Sequence, residues 1–94
     1  MNKNDCIFCK IVKKEISASI VYEDEELLAF KDINPIDKVH LLIIPKEHIE
    51  NLFSCENKHK ELLSKMLLLA PKLAKENGLE GFRVMINSGE KGGQ

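Results

Sequence analysis

The chain of 94 residues has almost no net charge, with 14 Lys and Arg against 15 Asp and Glu, a balance of -1 at pH 7. It lacks the basic excess with which a nucleic-acid binder holds phosphates, which argues against an electrostatic grip on DNA or RNA. Long hydrophobic runs are missing too. The purely apolar stretches at 41–45 and 66–71 are far shorter than the roughly 20 residues of a membrane-spanning helix, so no membrane span is expected. The opening Met1-Asn2-Lys3-Asn4-Asp5-Cys6 has no apolar run after a basic stretch and no small-residue cleavage site. No secretory signal is therefore expected, and the cytoplasm is the expected location. Three cysteines, two of them three positions apart, make no disulfide framework; in a reducing compartment that pair raises the question of metal. With no repeat, low-complexity tract or linker, a single domain over 1–94 is expected.

What is present is ordinary globular composition, 44% hydrophobic and 31% charged. A chain this small buries roughly 60 to 65% of its unfolded surface, so a metal or subunit contact would add usefully to a thin core. Asp5 suits a helix N-cap, and Ile7, Phe8, Ile11 and Val12 recur at helical spacing up to Lys13-Lys14, predicting a short helix at 6–13. Strand-favouring residues at 19–23 and 27–31, separated by Asp24-Glu25-Glu26, predict a hairpin. The run at 39–45 becomes apolar on both faces and reads as a central strand. Ser54 is a candidate cap for a long helix with an apolar stripe of Leu62, Leu63, Met66, Leu67, Ala70, Leu73 and Ala74, kinked or split near Leu67 by Pro71 and closed by Asn77-Gly78. Phe82, Val84 and Ile86 alternate with Arg83, Met85 and Asn87, predicting a fourth strand at 81–87. The fold class is α+β: a four-stranded antiparallel sheet with one short and one long helix.

Cys6 and Cys9 form a C-x-x-C at a helix start, where the helix N-terminus favours thiolate. Thioredoxin-type redox chemistry places that motif after a strand, and five residues leave no room for one. Zinc is the better functional reading, with His48 as third ligand, although two buried thiols that only pack the helix would show the same spacing. Cys55 reads as a helix-start residue. His40 in a strand reads as a hydrogen-bonded structural residue, His59 beside Lys58 and Lys60 as solvated surface, and Glu23 to Glu26 as a solvated turn. Arg83 suits an ion pair as well as a ligand contact. Phe30, Asp32 and Ile33 fit a nucleoside, an apolar sandwich for the base and a carboxylate for ribose hydroxyls, although an aspartate closing a strand is often just a turn former. Asn87 and the glycines after it could hold a phosphate through an amide and backbone N–H groups, or simply turn the chain.

In this order the segments Cys6-Ile7-Phe8-Cys9-Lys10-Ile11, Val21-Tyr22-Glu23-Asp24-Glu25, Leu28 through Pro35, His40 through Ile49, and Asn87-Ser88-Gly89 through Gly92-Gly93-Gln94 resemble the histidine triad family of nucleotide-binding hydrolases and transferases, in its small nucleoside phosphoramidase-like branch. The resemblance covers nearly the whole chain. It implies a five-stranded antiparallel sheet in the full domain, a homodimer formed through the long helix and last strand, and purine nucleoside monophosphates or their conjugates as ligands. It places Phe8, Phe30 and Ile33 at the base, Asp32 at the ribose, and Asn87 with Gly92, Gly93 and Gln94 at the α-phosphate. In zinc-carrying relatives the residues matching Cys6, Cys9 and His48 are metal ligands, and zinc is then a structural staple.

The family's His-x-His-x-His run follows the Gly-Gly-Gln loop, and its middle histidine attacks the α-phosphorus to form a nucleotidyl-histidine. The sequence reaches Gln94 before that run, so the nucleophile and the fourth zinc ligand are expected beyond it. The 94 residues alone are then expected to be inactive as a shortened piece of a longer enzyme. A zinc-stapled module that binds a nucleotide or partner without chemistry is the alternative.

Overall fold

The computed structural model describes residues 6–32 and 38–92, which fall into two compact units, Met1–His48 and Ile49–Gln94. The N-cap candidate Asp5, together with Ile33, Gly93 and Gln94, lies outside the described residues.

In the first unit, α1 spans Ile7–Val12 and buries Cys9 and Ile11, with Cys6 at its N-cap. It ends where Lys14 takes a left-handed backbone, φ 65°. The Glu15 amide then turns back to the Lys10 carbonyl at 2.9 Å, closing the helix end as αL residues commonly do. β1 (Ile20–Glu23) pairs antiparallel with β2 (Leu27–Lys31), with a register irregularity between Ile20 and Tyr22. Asp24 makes the turn: its Oδ1 accepts the Glu26 and Leu27 amides at 2.8 and 2.7 Å, and its Oδ2 accepts the Tyr22 hydroxyl at 2.7 Å. An aspartate that substitutes for backbone acceptors in this way is a turn former. The acidic run is thus a turn, as its composition suggests.

β3 (Leu41–Pro45) pairs antiparallel with β2 in the register Leu28↔Ile44 and Phe30↔Leu42. The order β1-β2-β3 puts β2 at the centre and β3 at an edge of the described sheet, which corrects the expectation for 39–45. A run apolar on both faces does not say which neighbours it has; β2, connected through its hairpin on one side and β3 on the other, is the strand buried throughout from Leu27 to Phe30. Side chains alternate across a strand, so Leu28 and Phe30 share one face, where they pack with Ile11 and Ile44 and with Val12, Ala18 and Leu42 around them.

In the second unit, one-turn 3₁₀ helices at Leu52–Ser54 and Asn57–His59 precede α2, which runs Lys60–Glu76. The helix therefore starts six residues after the expected Ser54 cap. The Glu56 amide donates to His59 Nδ1 at 2.9 Å while the Glu56 carboxylate accepts the His59 amide, a reciprocal box that satisfies N-terminal donors. His59 is consequently buried, 6% exposed, and not the solvated residue its lysine neighbours suggested. Pro71 does not split α2. Loss of one backbone bond is offset by packing on both sides of it, through Leu62 and Leu69 before and Leu73 and Ala74 after. The buried stripe includes Leu69, whereas Leu67 is exposed. At the C-terminus Gly78 has φ 68°, its amide bonds to the Lys75 carbonyl and the Leu79 amide bonds to the Ala74 carbonyl, the Schellman closure expected of Asn-Gly.

Residues 81–87 form no strand, so the described sheet has three strands where four were expected. Alternation alone does not make a strand; a ladder partner must take up the backbone N–H and C=O groups, and no described strand pairs with this segment. Phe82, Val84, Met85 and Ile86 are all about half exposed or more. No helix of the described residues is long and apolar enough to cross a membrane.

Candidate functional site

Two groupings of side chains arise on the first unit. The first is metal-like. α1 presents Cys6 and Cys9 one turn apart, and the chain leaving β3 brings His48 back to them. Cys9 Sγ lies 3.0 Å from His48 Nδ1, and the donor atoms of Cys6, Cys9 and His48 all lie within 4.8 Å of one another. Both cysteines are buried and free of disulfides. Ligands around tetrahedral zinc, at about 2.3 Å for sulfur and 2.0 Å for nitrogen, stand roughly 3.5 to 3.8 Å apart. The three donors need only small shifts to reach that spacing, and the two-sulfur, one-imidazole set suits zinc over hard cations.

The second grouping is a face of the sheet. Opposed residues of an antiparallel pair project to the same side. One face of β2 and β3 therefore reads Leu28 with Ile44, then Phe30 with Leu42. One step on, the Asp32 amide donates to the His40 carbonyl at 3.0 Å, which continues the pairing. The Phe8 ring from α1 lies 6.3 Å from the Phe30 ring at 45°, a tilted pair. Phe8 is 42% exposed and Phe30 only 5%, so the open ring surface of the pair is that of Phe8. His40 Nε2 stands 3.4 Å from Asp32 Oδ2. The face thus grades from the buried aliphatic cluster through the aromatic pair to a polar end.

Beside it, Glu23 is gripped by Lys14 and Lys46, each 2.8 Å from a different carboxylate oxygen. Those bonds, Lys14's first, hold its carboxyl below the ordinary carboxylate range. This triad ties the end of α1 and the residue after β3 to β1.

On the second unit, Asn87 is exposed and Gly89 takes φ 78°. A one-turn 3₁₀ helix at Glu90–Gly92 follows, with the Gly92 amide on the Gly89 carbonyl at 3.0 Å. The Leu52 amide donates to Ser88 Oγ at 3.2 Å, and Leu52, Phe53, Ile86, Ser88 and Gly92 line a shallow groove of about 370 Å³. Arg83 is exposed and joins neither grouping. Cys55 lies between the two 3₁₀ turns, its Sγ 3.8 Å from the Asn51 carbonyl. Sequence reasoning missed the Asp32–His40 pairing and the His59 cap. The first was readable from the strand register, since 32 and 40 are the next opposed positions after Lys31↔Leu41.

Residues 5–94 match the sequence family described as scavenger mRNA decapping enzyme C-term binding. Protein HitA of Neisseria gonorrhoeae is 52% identical over 92 residues, covering 97% of this chain and 86% of that protein. A histidine triad protein from Clostridium difficile superposes with a TM-score of 0.93 at 44% identity, covering all of this chain and 84% of that one. The chain belongs to the histidine triad family.

Further proteins are similar over most of this chain. A HIT family hydrolase from Legionella pneumophila has a TM-score of 0.93 and 46% identity over 96% of this chain and 82% of that one. A 14 kDa zinc-binding protein of Brassica juncea is 47% identical over 96% of this chain and 82% of its own length. Adenylylsulfatase HINT1 of Arabidopsis thaliana is 45% identical over 94% of this chain and 62% of its own length.

Proposed function

We propose that this chain is the nucleotide-binding part of a histidine triad hydrolase or transferase that acts on purine nucleoside phosphoramidates or related conjugates. The observation that carries the reading is the graded face: Phe8 against Phe30, with Asp32 two rungs beyond Phe30 and so on the same side of the sheet. In this reading Phe8 and Phe30 take the base with Ile33, and Asp32 accepts hydrogen bonds from the ribose hydroxyls. The α-phosphate falls to Asn87 with Gly92, Gly93 and Gln94, whose donors would stabilise charge developing on phosphorus. The adenylylsulfatase and hydrolase names of its relatives support the substrate class.

The reaction is attack of a histidine on the α-phosphorus with loss of the conjugated group, followed by water. None of His40, His48 and His59 follows the Gly-Gly-Gln loop, so in this reading none of the three is the nucleophile. Cys6, Cys9 and His48 would hold zinc, supported by their donor spacing and by the zinc-binding relative. Zinc there supplies a structural crosslink between α1 and the segment after β3. A homodimer belongs to the same reading, and the exposed Leu67, Leu68 and Phe82 supply apolar surface for it.

The test is titration calorimetry with adenosine monophosphate on the parent chain and on Asp32→Ala. Saturable binding by the parent and a loss of about tenfold or more in the variant are expected, the scale of hydrogen bonds made to a charged group. Equal affinities would remove Asp32 from the site.

A further inference from the structure

We infer that His40 is a positioning residue for Asp32: it orients the carboxylate toward the vicinal cis-diol of a ribonucleoside and so makes the site discriminate ribose from deoxyribose. The inference rests on the nucleotide reading above and adds a residue to it.

Three observations converge on His40. It is the cross-strand neighbour of Asp32, since the Asp32 amide donates to its carbonyl at 3.0 Å directly after the Lys31↔Leu41 pair. Opposed positions send their side chains to one face, and here His40 Nε2 comes within 3.4 Å of Asp32 Oδ2. Lastly, the two side chains are 25% and 21% exposed, open enough to meet a ligand and enclosed enough to restrict each other's rotamers.

The physical need is specific. Two adjacent hydroxyls of a ribose present their hydrogens at a fixed separation, and a carboxylate receives both only when its plane is set. An aspartate at a strand end has a broad terminal torsion, so setting that plane costs entropy at the moment of binding unless a neighbour has already set it. An imidazole N–H directed at one carboxylate oxygen does so in advance. His40 acts from the residue immediately before β3, where its carbonyl is bonded to the Asp32 amide, and not from a free loop. It acts through Asp32 and makes no bond to the reacting phosphorus.

The test uses calorimetry with adenosine monophosphate and its 2′,3′-dideoxy analogue on four proteins: parent, His40→Ala, His40→Gln and Asp32→Ala. His40→Ala should weaken the ribonucleotide about two- to tenfold, the cost of ordering one side chain at the moment of binding, and leave the dideoxy analogue unchanged. His40→Gln places an amide N–H near the position of Nε2 and should recover most of the loss. Circular dichroism and thermal midpoints establish that the variants fold.

Equal weakening of both ligands by His40→Ala would overturn the inference, because a general structural defect does not distinguish a diol from its absence. Unchanged ribonucleotide binding in His40→Ala, with Asp32→Ala still impaired, would overturn it while sparing the nucleotide reading. Failure of His40→Gln to recover binding would also count against it. Absence of ribonucleotide binding to the parent would overturn both.

Discussion

The two compact units are built from similarly apolar sequence and end up differently. In Met1–His48, four consecutive β2 residues are buried to 5% exposure or less. In Ile49–Gln94, Phe82, Val84, Met85 and Ile86 are 49 to 59% exposed despite comparable hydrophobicity. The difference lies in backbone partners. β2 has a ladder on both sides, whereas the segment 81–87 has none among the described strands. Apolar side chains add stability when the backbone that carries them is paired and they leave water together. Hydrophobicity is a property of the sequence, but burial depends on which neighbours arrive.

The largest way to break this contrast is a matched pair of truncations. Leu28→Ala empties the centre of the cluster formed with Ile11, Phe30 and Ile44, where Leu28 is 0% exposed. It should cost about 2 to 5 kcal/mol in urea unfolding. Leu68→Ala, at 71% exposure on α2, should stay within about 0.5 kcal/mol at protein concentrations too low for the homodimer to form. Comparable losses at the two positions would mean that Leu68 is covered in solution, and sedimentation would then show the covering copy.

Next in size is metal. Zinc bound by Cys6, Cys9 and His48 should raise the unfolding free energy by about 2.7 kcal/mol at a hundredfold excess over its dissociation constant. Hydrogen exchange should slow in α1 and β3 of the first unit. Cys9→Ser should lower metal content measured by mass spectrometry and remove the stabilisation. Full metal retention by that variant would place the zinc elsewhere.

Much of the first unit was legible beforehand because its signals are local. The span 27–31 reads as a strand from its own residues and is observed as Leu27–Lys31. The cysteine spacing and His48 after an apolar run foreshadow the cluster that forms. Asn77-Gly78 announces its own helix end. The misreadings share a cause, in that each depended on a partner distant in sequence or on a competing local bond. The segment 81–87 alternates as a strand would, but a ladder is made by two segments. His59 looked solvated beside two lysines, yet its ring nitrogen is taken up by the Glu56 amide. Ser54 resembles a cap, but a 3₁₀ turn ends there and the Glu56–His59 box starts the helix. The Asp32–His40 pair lies between these cases, requiring only that the β2–β3 register be carried one step past Lys31↔Leu41.

A smaller effect sharpens the account of how α1 ends. Lys14 holds φ 65°, a region costing a non-glycine residue about 1 kcal/mol or more. Lys14→Gly and Lys14→Ala both remove the ammonium that reaches Glu23, and only glycine relieves the backbone. The glycine variant should therefore be the more stable of the two by about 1 kcal/mol in urea unfolding, and a reversed order would mean that the left-handed turn is absent in solution.

The smallest expected effect is the pH response of the Glu23 triad, which is exposed and weakened by salt. Lys14 first and Lys46 second draw the Glu23 carboxyl below its ordinary 4.5. A group whose pKa is lower in the folded state binds protons more readily when unfolded, so stability rises with pH across its titration. The stabilisation is therefore complete above 4.5 and is lost as pH falls through the lower, folded value. Urea midpoints of the parent and Glu23→Gln, compared at low salt, should differ at neutral pH and converge in acid. A gap that persists in acid would assign the effect of the substitution to packing and remove the ion pairs as its cause.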